Sequence, residues 1–224
     1  MGIRNCNFSL EEFYHLYSRG VDKRLIFFDS EDRKRFVRLL CLCNKLDPVV
    51  YRETKSKSLR DLSDGKKLVA LGAYCLMSNH FHLLVREIQD GGTVKFMSKL
   101  LTAYSSYFNK KYQRVGALFS SQFKASHLDN DEYLKYIFAY IHLNPVKLID
   151  PLWKEKGTNT EEAKRFLKNY SFSSYADYVS EKREEAVILD RSYFPEYFNT
   201  SEEWASNIHE WLKSDAYQGQ SLVS

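Results

Sequence analysis

No apolar run in this 224-residue chain approaches the ~20 residues that a membrane-spanning helix needs, and the opening Met1-Gly-Ile-Arg-Asn-Cys6 has no signal-peptide core. A cytoplasmic protein with no membrane partner is expected. Metal-type cysteine pairs are missing too. The four cysteines stand at 6, 41, 43 and 75, without a Cys-x-x-Cys spacing, and all but Cys6 fall inside apolar runs, which reads as buried free thiols. The net charge of +4 is too small to indicate nucleic acid by itself. A local absence says more: residues 95–124 contain no acid, yet carry Lys95, Lys99, Lys110, Lys111, Arg114 and Lys124. That is a phosphate footprint or a solvated cationic helix face. What is present is enough apolar residue, 44%, for a substantial core in one large domain or one domain with an appendage.

The stretch Tyr74-Cys-Leu-Met-Ser-Asn-His-Phe-His-Leu-Leu-Val-Arg86 holds two histidines one residue apart. In a strand, side chains alternate faces, so His80 and His82 share one face while Phe81, Leu83 and Val85 take the other. Neutral imidazole is a common metal ligand, and two on one face can converge on a cation. A bare His-x-His nevertheless suits half-buried histidines satisfied by backbone or water better than it suits a site, so the choice must come from elsewhere in the chain.

It comes from Tyr133-Leu-Lys-Tyr-Ile-Phe-Ala-Tyr-Ile-His-Leu-Asn-Pro-Val-Lys147. A spacing of four puts Tyr136, Tyr140 and Asn144 on one helical stripe, and Pro145 disfavours helical geometry at Asn144. Spacing alone leaves Tyr136 open beside Tyr140 as a reactive tyrosine, and His142 open beside Asn144 as a ligand. Together with Met77-Ser-Asn-His-Phe-His-Leu-Leu-Val85, this segment resembles the REP-associated tyrosine transposases, a branch of the HUH single-strand DNA transposases. The resemblance covers roughly residues 11 to 180 and implies a set of roles. His80 and His82 would hold a divalent metal, Mg²⁺ or Mn²⁺, with Asn144 as a further ligand. Tyr140 would be the nucleophile, and the partner would be single-stranded DNA, as a REP-like stem-loop.

Taken in order, Phe13 to Gly20 reads as a strand closed by a glycine turn, with Arg19 a phosphate contact by the resemblance and His15 structural. Ser30 is expected to cap a helix that runs to about Pro48, and the polar residues 51–67 to form an exposed insertion. Leu68 to Met77 leads through Ser78-Asn79 into the histidine strand. Thr93 is expected to cap a second long helix that packs on the same face as the first. Lys110, Lys111 and Arg114 occupy what the family has as a basic turn ending in Gly-x-Leu-Phe, here Gly116 to Phe119. Phe119 to His127 is then the next strand, carrying Lys124, and Asp129-Asn-Asp131 caps the tyrosine helix. Val21, Ser78 and Gln122 stand where the family usually has Asn, Pro and Arg.

The order of elements predicts an α+β fold: a ferredoxin-like antiparallel sheet with helices packed on one face, plus a C-terminal helical appendage. Residues 1–150 would be the catalytic domain and 151–224 a helical extension packed on it, with Phe194, Tyr197, Phe198, Trp204, Ile208 and Trp211 anchoring one or two helices. The expected activity is metal-dependent single-strand DNA cleavage and strand transfer through a 5′-phosphotyrosine, by a monomer or homodimer. Two rivals are a non-cleaving module that grips single-stranded or hairpin nucleic acid, and a histidine-metal hydrolase in which water attacks.

Overall fold

The computed structural model describes residues 6–47, 51–54, 56–156, 158–179 and 183–195. Its four strands are β1 (Phe13–Arg19), β2 (Val69–Leu76), β3 (His80–Glu87) and β4 (Lys124–His127). They form one antiparallel sheet in the order β2-β3-β1-β4, the ferredoxin-like arrangement predicted. The helices are α1 (Ser30–Cys43), α2 (Leu59–Ser63), α3 (Gly92–Lys111), α4 (Asp131–Leu143), α5 (Trp153–Lys156), α6 (Thr160–Asn169) and α7 (Tyr175–Val179). Among the described residues, no helix is long and apolar enough to cross a membrane.

Strand alternation decides where the helices go. Phe81, Leu83 and Val85 are fully buried, and the Phe81 ring lies 4.8 Å from that of Phe36 on α1, so α1 and α3 cover that face as expected. His80 and His82 point the other way. That face is covered by α4, whose Tyr140 ring sits 5.4 Å from the His82 ring. A sheet buried on both sides explains why β2 is apolar along its whole length instead of alternating.

Local differences from the sequence reading have simple causes. The cap of α1 is Asp29, not Ser30: its side chain accepts from the Asp32 amide at 2.9 Å, while the Asp32 carboxylate reaches back to the Phe28 amide at 2.8 Å. At α3 the cap is Gly91, in the left-handed region at φ 65°, and Thr93 falls inside the first turn. Asn130 caps α4 by accepting from the Tyr133 amide at 2.8 Å. Most of the described residues within 51–67 are exposed, as expected, but the segment is also anchored to the core. A Ser58–Asp61 capping box starts α2, and Leu59 and Leu62 are buried between α1 and the turn Glu184–Ile188. The last strand pairs only from Lys124, whereas Phe119 makes an isolated bridge to Gly20. Pro48 and the aromatics beyond residue 195 lie outside the described residues.

Residues 172–179 and 183–194 run along the free edge of β2. Leu76 N–H donates to the Phe172 carbonyl at 2.9 Å, Ser174 N–H to Tyr74 at 3.0 Å, Asp190 N–H to Leu71 at 2.9 Å, and the Tyr178 hydroxyl to Gly72 at 2.6 Å. The strap is pinned by Arg183, which pairs with Asp177 at 2.5 Å. Gly72 marks a register shift in β2, and the Phe194 ring lies where its side chain would be: a Cβ there would come within 2.5 Å of the ring. Gly72→Val is therefore expected to lower unfolding stability by about 1–3 kcal/mol through overpacking. Chemical denaturation of the two proteins measures this, and equal midpoints would refute it.

Candidate active site

The antiparallel register sets Arg19 opposite His80 and Tyr17 opposite His82, so these four side chains share the α4 face of the sheet. They form the floor of a cleft of about 300 Å³, with Tyr140 from α4 and Lys147 from the turn Asn144–Leu148 on one side and Lys124 on another. The rim is the turn after β1. Gly20 is required there, because a Cβ would collide with the Arg24 carbonyl. Asp22 and Lys23 follow with φ of 54° and 59°, a strained backbone of the kind that concentrates at functional sites. Asn79 locks this turn to the histidine strand: its carbonyl accepts from Gly20 N–H at 2.9 Å, and its side-chain amide donates to the Lys23 carbonyl at 3.0 Å.

With the Asn79 amide nitrogen so engaged, its Oδ1 accepts from His80 Nδ1 at 2.6 Å, which makes Nε2 the unprotonated nitrogen of His80. His82 Nδ1 is 2.9 Å from Nε2 of His15, and both of these rings are buried. Burial pulls the pKa of His80 down to about 4, helped by Arg19 and Lys147, and that of His15 to about 3. It also pushes His82 well below its ordinary value, with His15 and His80 adding to the effect. All three imidazoles are therefore neutral at pH 7, the form that coordinates cations.

Tyr140 is 6% exposed, and burial raises its pKa above the ordinary phenol value, with Asn144 opposing the rise. Tyr136, one turn earlier, stacks on Tyr140 at 6.2 Å but does not line the cleft. Asn144 donates to the Tyr140 carbonyl at 3.3 Å, and its Oδ1 is buried without a hydrogen-bond partner. His142 is placed elsewhere: it bonds the Phe138 carbonyl at 2.9 Å and the Ser174 hydroxyl at 2.7 Å, packed beneath the C-terminal strap. Both of its ring nitrogens are thus occupied, which removes it as an alternative ligand.

The donors beside the cleft that suit a metal are neutral. Among the described residues, no group of three or more His, Cys, Asp or Glu side chains is arranged to hold an ion. His82 Nε2 and Asn144 Oδ1 are both buried and unpartnered, which costs roughly 1–3 kcal/mol for each group left so. Imidazole nitrogen with amide oxygen fits a divalent cation that takes mixed N and O donors.

Of the cations expected to meet phosphate, Arg19 and Lys124 line the cleft, and Lys110, Lys111 and Arg114 do not. Lys111 is committed to Asp29 and Asp32, 2.8 Å from each, so its charge is already matched; Arg114 lies 5.6 Å from the Phe108 ring centroid. Two lysines that sequence reasoning did not single out take part. Lys147, half-buried and with its pKa lowered by burial and by Arg19, lines the cleft. Lys154 has its Nζ 4.3 Å from the Tyr140 ring centroid, with its pKa drawn down to about 7 by burial and by Lys147. Lys147 directly follows the Asn-Pro-Val run and was legible there; Lys154 carried no signal.

Residues 47–144 match the IS200-like transposase family. No curated protein matches the chain. Among solved structures, the fold is similar to that of a REP-associated tyrosine transposase bound to a REP hairpin, with a TM-score of 0.50 and 11% sequence identity over 89% of this chain and 91% of that one. The matched segment takes in both histidines of β3, all of α4 and Asn144, and over it the chain is similar to the IS200-like transposase family.

Proposed function

We propose that the chain is a single-strand DNA endonuclease and strand transferase with Tyr140 as its nucleophile. The observation that carries this reading is Tyr140 packed edge-on against His82, in a cleft that also holds Arg19, Lys124 and Lys147. In the reaction, Tyr140 Oη attacks a backbone phosphorus and the P–O3′ bond breaks. The departing 3′ oxygen takes up a proton, and the 5′ side stays on the enzyme as a phosphotyrosine. Because that ester conserves the bond energy, a second 3′-OH can displace the tyrosine and rejoin strands without a nucleotide cofactor.

The three cations orient the phosphate, and each offers charge-assisted bonds to its oxygens. Burial keeps the proton on Tyr140, while the Asn144 side chain and the charge of Arg19 favour losing it. His80, His82 and Asn144 are the residues that would hold Mg²⁺ or Mn²⁺, which supplies Lewis-acid polarisation of the phosphate when bound. The partner we propose is a single strand presented by a stem-loop, in a cytoplasmic setting, with residues 1–150 carrying the catalysis and 151–224 supporting them.

Incubating the protein with labelled stem-loop DNA and Mn²⁺ tests this by the formation of a denaturant-resistant protein–DNA adduct. Product without adduct would assign the attack to water, and binding without either would leave a recognition module. Binding should also weaken with salt, with a log–log slope of about −0.7 per neutralised phosphate on a single strand. Arg19→Gln and Lys147→Gln should each reduce that slope by about one phosphate's worth, and Lys111→Gln should leave it unchanged. A slope insensitive to Arg19 and Lys147 would refute the cleft as the phosphate site.

A further inference from the structure

The position of His15 in its strand marks it only as structural, yet it stands on the strand beside the histidine pair, one step along the sheet. Its Nε2 lies 2.9 Å from Nδ1 of His82, with the two residues 0% and 2% exposed. One hydrogen lies between two ring nitrogens, so two arrangements exist. If His15 donated, the proton of His82 would be on Nε2 and its cleft-side nitrogen could not coordinate. If His82 donates, its Nε2 presents a lone pair. The neighbouring ring has the second arrangement, since Asn79 Oδ1 accepts from His80 Nδ1.

We infer that His15 is a positioning residue: its Nε2 accepts the Nδ1–H of His82 and keeps the Nε2 lone pair of His82 available to a cation in the cleft. A carboxylate or backbone carbonyl commonly plays this part behind a metal-binding histidine, fixing its tautomer and ring orientation. Here the acceptor is a second imidazole. Its own Nδ1 is buried without a partner, so no competing contact in the structure pulls the His15 ring into the opposite tautomer. The inference rests on the metal reading proposed above, and extends it to a residue outside the ligand set.

Two readouts separate the inference from that reading. Nitrogen-15 NMR of labelled histidine reports which ring nitrogen carries the proton, with His82 assigned by its loss in His82→Gln. Loss of the free-ion signal in electron paramagnetic resonance reports binding of Mn²⁺ alone. Wild-type His82 should carry its proton on Nδ1. His15→Phe, which keeps the ring volume and removes the acceptor, should move that proton toward Nε2 and weaken Mn²⁺ binding about 10- to 100-fold. His15→Gln, whose amide oxygen can accept the same hydrogen, should recover most of the affinity. A wild-type His82 protonated on Nε2 overturns the inference, as does an unchanged tautomer and affinity in His15→Phe. If that variant does not fold, the wild-type spectrum decides alone. Wild-type protein that binds no Mn²⁺, yet shows the Nδ1 proton, would overturn the metal reading and the inference's link to coordination, while the tautomer result stood.

Discussion

Tyr140→Phe is expected to abolish both the covalent adduct and strand cleavage while DNA binding stays close to that of the wild type. The substitution removes one hydroxyl from a side chain that is 6% exposed and leaves the ring in contact with His82 and Tyr136, so the packing of α4 on the sheet is kept. Removing a nucleophile that acts as part of a set costs roughly 10⁴–10⁶ in turnover. Gel separation of adduct and cleaved strand, alongside a filter-binding titration, measures the two quantities together. Tyr136→Phe serves as the internal control: its ring is half-buried outside the cleft, and cleavage should continue. Retained cleavage in Tyr140→Phe would move the attacking group to Tyr136 or to water.

The second large effect is on stability and falls on Asp32→Ala. This carboxylate is 0% exposed and accepts from the Phe28 amide at 2.8 Å, the Tyr107 hydroxyl at 2.9 Å, the Tyr112 hydroxyl at 2.8 Å and Lys111 Nζ at 2.8 Å. Cutting it to Ala leaves the Phe28 amide and the Tyr107 hydroxyl without their acceptor, and Lys111 and Tyr112 with Asp29 alone, at the junction of α1 and α3, and breaking a buried pair of this kind costs about 3–5 kcal/mol. Burial by itself would raise the pKa of Asp32, but Lys111, the Phe28 amide and the tyrosines hold it below the ordinary 3.8. A carboxyl depressed in the folded state contributes stability that is full above its unfolded pKa and is lost as pH falls through the folded value. The wild type should therefore lose this contribution only below pH 3.8, and Asp32→Ala should lack that part of the acid dependence. Urea unfolding as a function of pH measures both, and a loss under about 1 kcal/mol would mean that the network is no stronger than an exposed salt bridge.

Much of the site was legible because it follows from period. Alternation along β3 is enough to put His80 and His82 on one face, and four-residue spacing is enough to put Tyr140 and Asn144 on one stripe. The ferredoxin-like class followed from the succession of strands and helices along the chain, and the long helices from their apolar spacing. What could not be read was the pairing between distant segments. Nothing local to Phe13–Arg19 says that His15 falls beside His82; that depends on the register of β1 against β3. Lys111 belonged to a run without acids, and its partners Asp29 and Asp32 lie on another helix, so its charge looked free. His142 and Asn144 were interchangeable on the helix until the C-terminal strap brought Ser174 to one of them. Caps were misplaced by a residue or two because Asp29 and Ser30 compete for the same turn, and only the backbone angle of Asp29 settles it.

The two edges of the sheet are defended differently. β4 is only four residues long and partly exposed, with Lys124 and His127 at its ends, and offers little for another chain to pair with. β2 is eight residues long, apolar and buried throughout, and its outer row of backbone groups is met by Phe172, Ser174, Tyr178 and Asp190 of the same polypeptide. Cutting the chain after Asp150 would leave the histidine strand and α4 intact in sequence but uncover that row. The fragment would then behave as a template for intermolecular strand addition, and its characteristic failure would be self-association and precipitation rather than simple unfolding. The tail thus works as an intramolecular guard against aggregation, and a soluble minimal unit has to extend through the Phe194 contact on Gly72.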